Sequence, residues 1–80
     1  MIVTAEFTVE PFVPGDLGPH VRAAIDAAAA TGAVVEVGPF GTSVRGADTE
    51  TILRAVDGAL RAALENGATH MAVQIFSSPG

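Results

Sequence analysis

Residues Ile2 to Glu10 alternate without a break: Val3, Ala5, Phe7 and Val9 are apolar, and Thr4, Glu6, Thr8 and Glu10 are polar. A period of two over that length predicts a strand with one face in a core. Pro11, Pro14 and Gly15 end it. The spacing then changes to threes and fours. Leu17, Val21, Ala24, Ile25 and Ala28 share one helix face, Asp16 or Gly18 can cap it, and Pro19 suits its first turn. Gly32 stops the helix in a left-handed conformation. Ala33 to Gly38 and Thr42 to Gly46 are short strand-like runs around Gly38-Pro39-Phe40-Gly41, a tight turn by composition. With Pro39 and Phe40 at its centre, Val34 faces Arg45, Val35 faces Val44 and Glu36 faces Ser43. That register gathers Val35, Val37 and Val44 on one face and Glu36, Ser43 and Arg45 on the other.

Asp48 is a good N-cap for a second helix, and Glu50 suits the positive end of its dipole. Ile52, Leu53, Val56, Leu60, Ala63 and Leu64 repeat at helical spacing until Asn66-Gly67. The last strand, Thr69 to Phe76, has Met71, Val73 and Ile75 on one side and Ala72, Gln74 and Phe76 on the other. Ser77 to Gly80 read as a loose tail. Strand, helix, strand, strand, helix, strand is the order of a ferredoxin-like βαββαβ sandwich. This α+β class has a four-stranded antiparallel sheet with two helices on one face. The expectation is a single domain over residues 1–80.

Composition narrows the function. An 80-residue chain buries only about 60% of its unfolded surface, so its core is thin and self-association is an expected source of stability. Much of the 49% hydrophobic content is alanine, which predicts close but shallow packing. The net charge is −5, with four arginines, no lysine and no basic run. That argues against nucleic acid and against an anionic membrane, and it permits a cationic or neutral small ligand. The absence of cysteine excludes disulfides, thiolate metal sites and CxxC metal carriage, and two isolated histidines make no metal cluster. No cofactor or metal is expected. No apolar run approaches the ~18 residues of a membrane span, and the N-terminus has no leader pattern. The expectation is a soluble cytoplasmic protein.

The parities leave one sheet face uncovered by helices. It carries Ile2, Thr4, Glu6, Thr8, Val34, Glu36, Ser43, Arg45, Ala72, Gln74 and Phe76. Glu6 and Glu36 can accept hydrogen bonds from an amine or stabilise a cation. Thr4, Thr8, Ser43 and Gln74 both donate and accept. Phe40 and Phe76 can stack on a flat ring, and the glycines of the Gly38–Thr42 segment can bring main chain close to a ligand. The competing reading is a wet face on which Glu36 and Arg45 form a diagonal surface pair. His20, in the first turn of helix one, is either a ligand contact or an exposed helix-start residue, and His70 reads as surface. Acylphosphatases share the topology, but Val13 to Gly18 lacks a phosphate-cradling loop with a positioned arginine, and no nucleophile with an adjacent base is evident. RNA binding would need strand aromatics in a positive field.

Three stretches carry a resemblance: Ala5-Glu6-Phe7-Thr8-Val9-Glu10-Pro11-Phe12, Gly18-Pro19-His20-Val21, and Glu36-Val37-Gly38-Pro39-Phe40-Gly41-Thr42-Ser43-Val44. In order and spacing the chain resembles the small thiamine-binding proteins, the YkoF-like family, over essentially its whole length. The Gly-Pro-x-Gly-Thr block is the most specific part. The resemblance implies a ferredoxin-like fold and association through sheets into a homodimer or homotetramer. It implies non-catalytic binding of thiamine or its hydroxymethylpyrimidine moiety. Carried over, the Gly38–Thr42 block and the polar residues of strand one lie near the pocket; together with the open-face parity this makes Thr4, Glu6, Thr8, Glu36, Phe40, Thr42, Ser43 and Gln74 the expected ligand-binding residues. Arg45 departs from the pattern, which implies an acidic residue before Gly46. A cation there opposes a positive thiazolium unless Glu36 neutralises it. The alternative is a structural or regulatory oligomeric module that binds another small metabolite.

Overall fold

Strand β1 (Ile2–Glu10) runs between two neighbours, and its alternation is expressed in full: Val3, Ala5, Phe7 and Val9 are buried, while Glu6, Thr8 and Glu10 are exposed. The computed structural model describes residues 2–11, 17–39 and 41–79. After β1 come α1 (Pro19–Ala29), β2 (Val34–Val37), β3 (Thr42–Arg45), α2 (Thr49–Glu65) and β4 (His70–Ser78). The strands make one antiparallel sheet in the order β2-β3-β1-β4. The buried side of β1 joins Val44 and the inner residues of both helices in one core, so both helices lie on that face. This is the ferredoxin-like α+β architecture.

The two helices begin differently. Gly18 caps α1 with main chain only; its carbonyl accepts from the Val21 and Arg22 amides, each at 3.1 Å. Asp16, the other candidate cap, lies outside the described residues, as do 12–15. Asp48 caps α2 with its side chain: Oδ1 accepts from the Thr51 hydroxyl at 2.7 Å and the Thr51 amide at 2.8 Å. These two bonds, the hydroxyl first, hold the Asp48 carboxyl below its ordinary value. Gly32, with φ of 90°, carries the chain out of α1 in a conformation that other residues rarely adopt.

Packing shifts the inner face of α2 away from the leucine stripe that the spacing suggests. The fully buried residues are Ile52, Ala55, Ala59 and Ala63, whereas Leu53 and Leu64 are 49% and 62% exposed. The two helices lie against each other at ordinary contact distance: a Cβ at Gly58 would stand 3.7 Å from that of Ala27. Methyl groups fill the seam and the leucines are displaced to its flanks. The helix layer also stops short of β4, the edge strand, where Met71 and Val73 are half-buried and Ile75 is 48% exposed. Ser77 and Ser78 are strand rather than tail, because β1 starts at Ile2 and offers them partners: Val3 pairs with Ser77 and Ile2 with Ser78. The β2–β3 hairpin takes the expected register, Val34 with Arg45, Val35 with Val44 and Glu36 with Ser43. No helix of the described residues is long and apolar enough to cross a membrane.

Candidate ligand site on the open sheet face

Antiparallel register turns four distant sequence positions into one row. Glu36 pairs with Ser43, Ser43 with Glu6, and Glu6 with Gln74, so a carboxylate, a hydroxyl, a carboxylate and an amide cross the sheet on the face without helices. The neighbouring row is Val34, Arg45, Thr4 and Phe76. On the other side of the polar row, Thr8 pairs with Ala72.

A cavity of about 490 Å³ opens on this face. The side chains of Glu6, Thr8, Ser43 and Gln74 line it, together with Ala72, Phe7, Gly38 and Gly41. The Phe7 ring points into the core, so this residue offers main chain to the cavity. Gly41 permits the wall to close: a Cβ there would lie 3.1 Å from the Phe7 carbonyl oxygen and 3.3 Å from Thr8 Cγ2. An added methyl there would crowd the Phe7 carbonyl, which would have to give by a few tenths of an ångström. The turn itself is tied by the Gly38 amide donating to the Gly41 carbonyl at 2.8 Å.

The other residues singled out by sequence fall elsewhere. Glu36 belongs to the polar row but does not line the cavity; its Oε1 accepts from Arg45 Nη2 at 2.5 Å, with both side chains more than half exposed. Thr4 lies one row away, beside Arg45 and Phe76. Thr42, expected among the ligand-binding residues, lies on the opposite face from the cavity. It is 4% exposed and shares its parity with the buried Val44, so its side chain lies on the helix side. The glycine block suggested proximity, but the strand period decided direction. Phe40 lies outside the described residues. Ala72 belongs to the open face by its parity but carries no polar group, so sequence offers no signal for it as a site residue; the structure pairs it with Thr8.

The electrostatics are simple. Among the described residues Glu6 is the one charged residue around the cavity, and it has no ion pair there. The arginines are engaged away from it or lie on α2: Arg22 donates to the Leu17 carbonyl at 3.1 Å, and Arg61 pairs with Asp57 at 3.0 Å. His20 Nε2 contacts the Pro11 carbonyl, and His70 Nδ1 lies 3.1 Å from the Thr69 hydroxyl; neither lines the cavity. Among the described residues no group of three or more His, Asp or Glu side chains could hold a metal ion. The site can therefore accept hydrogen bonds and positive charge at Glu6, and can donate or accept around it through Thr8, Ser43 and Gln74.

Comparison with known proteins agrees with this architecture. A domain of unknown function, DUF77, from Bacillus cereus is 26% identical; the match covers 96% of this chain and 76% of that one, with a TM-score of 0.62. The protein SP2199 from Streptococcus pneumoniae shares the fold, at 24% identity and a TM-score of 0.66, over 99% of this chain and 89% of that one. No curated protein matches. The family model described as "Thiamine-binding protein" matches residues 5–76, nearly the full length, and the chain belongs to that family.

Proposed function

We propose that this chain is a single domain that binds thiamine, or its hydroxymethylpyrimidine moiety, in the open-face cavity without turning it over. The observation that carries this reading is the Glu6 carboxylate, without an ion pair among the described residues, at a cavity that these residues otherwise line with hydroxyls, an amide, the Ala72 methyl and main chain. Thiamine combines an exocyclic amine on a pyrimidine with a positively charged thiazolium. A carboxylate can accept from the amine or face the cation, and Thr8, Ser43 and Gln74 can serve the ring nitrogens and the hydroxyethyl group. Family membership supports the ligand class. The row beyond the cavity suits a second copy of the chain: Val34 and Phe76 are 53% and 49% exposed there, and Ile2, on the same face, 59%. A homodimer or homotetramer formed over this face would enclose the ligand.

Calorimetry with thiamine tests the proposal, and saturable heat with a rise in melting temperature is the expected result. Silence with thiamine, its phosphates and hydroxymethylpyrimidine would remove it. Glu6→Ala should weaken binding far more than His70→Ala, and equal effects would move the pocket elsewhere. The same apolar residues favour a second reading, in which the face is only an assembly surface of a regulatory oligomer. A stable oligomer by mass measurement that shows no thiamine response would support that reading instead.

A further inference from the structure

Arg45 stands between two carboxylates. Glu6 and Glu36 face Ser43 from opposite sides, so Arg45, two residues further along β3, is a diagonal neighbour of both. Diagonal neighbours on one sheet face lie roughly 7–8 Å apart, within reach of a long side chain. Its directly paired residues, Thr4 and Val34, offer no charge. The guanidinium takes Glu36. Glu6, which lines the cavity, is left without an ion pair among the described residues.

We propose that Glu36 is a positioning residue for the cavity: it holds Arg45 on the β2 side, keeps the guanidinium off Glu6, and so leaves that carboxylate to a cationic ligand. The inference rests on the open face being the ligand site. Its chemistry is competition. An arginine bound to Glu6 would occupy the carboxylate lone pairs and cancel its charge, and a cationic ligand would have to displace it. A guanidinium kept off Glu6 is held by Glu36, the carboxylate at the equivalent diagonal on the other strand. The arrangement has an unusual consequence. Removing a negative charge at position 36 lowers affinity for a cation only because Arg45 is present, whereas a direct contact between Glu36 and the ligand would lower it regardless.

Two measurements test this on the intact chain. In the first, thiamine is titrated into wild type, Glu36→Gln, Arg45→Gln and the double variant, with melting temperatures recorded to show that each is folded. The expected pattern is a loss of about two- to fivefold in Glu36→Gln, the size of an exposed ion-pair effect, and recovery to wild-type affinity or above in the double variant. The uncharged hydroxymethylpyrimidine should respond less than thiamine. In the second, a crystal structure of Glu36→Gln should have Arg45 within hydrogen-bond distance of Glu6. Equal weakness of the single and double variants, unchanged affinity in Glu36→Gln, or an Arg45 that leaves Glu6 alone in that crystal would overturn the proposal. A wild type that binds no thiamine would instead bring down the ligand reading, and the positioning role with it.

Discussion

On one side of β1, Val3, Ala5, Phe7 and Val9 are closed in by both helices and by Val44; on the other, Glu6 and Thr8 face a cavity. The two sets are separated by one residue in sequence and by the thickness of a strand in space. The inner side contributes burial, which stabilises in proportion to apolar area removed from water. The outer side contributes little to folding, because its polar groups are as well served by water as by one another. Stability and recognition are thus assigned to alternate positions of one strand, and substitutions should separate them.

The largest effect belongs to the inner side. Phe7→Ala should cost about 3–5 kcal/mol in urea unfolding, since the ring is 2% exposed and its neighbours cannot collapse onto the gap. A cost near that of a surface change would break the comparison. Glu6→Gln is its counterpart: affinity for thiamine should fall about tenfold by calorimetry, with stability altered by less than about 0.5 kcal/mol. A stability loss like that of Phe7→Ala would mean that the two sides are not separable.

The helix starts sharpen the contrast away from β1. Asp48→Ala should lower the melting temperature by roughly 4–8 °C, through loss of the α2 cap, and leave thiamine binding unchanged. The Asp48 carboxyl is held below its ordinary 3.8, so the folded state favours its charged form. The cap therefore contributes fully above that ordinary value and is lost as pH falls through the depressed one. Wild type should show an acid-side loss of stability that Asp48→Asn reduces, as thermal melts below pH 4 would reveal. The smallest effect is expected at the exposed Asp57–Arg61 pair on α2, where Arg61→Ala should change stability by less than about 0.5 kcal/mol.

Where sequence succeeded, it did so through local periods. The alternation of β1 and the Val34–Arg45 register of the hairpin are decided by neighbours within a few residues, and both are found as expected. The face shared by Glu6, Ser43 and Gln74 follows from the same rule applied three times. On α2 the expected face is found in part, since Ile52 and Ala63 are buried and Val56 packs on the core, while Ala55 and Ala59 take the place of Leu53 and Leu64 because helical spacing admits two overlapping stripes. The alanine stripe won through the closeness of α1, a tertiary fact that no window of sequence contains. Thr42 was drawn to the site by its glycine neighbours, although its own parity with Val44 already assigned it to the core. The cavity itself depends on Gly41 lying against β1, a contact between segments some 30 residues apart along the chain, and only the assembled sheet reveals it.

That contact has a wider consequence. Around the hairpin turn the cavity is bounded by peptide groups of Gly38 and Gly41 and of the facing Phe7, and Ser43 is the one side chain that the described residues of the hairpin add. Two members of such a lineage could differ at most positions and still offer a visitor the same backbone rim, provided that the loop stays thin enough to lean on its neighbour. Conservation of shape there is cheap in residue identity and strict in bulk. Surveys that weigh only reactive side chains would then undervalue this border, while a single added methyl at position 41 would register at once.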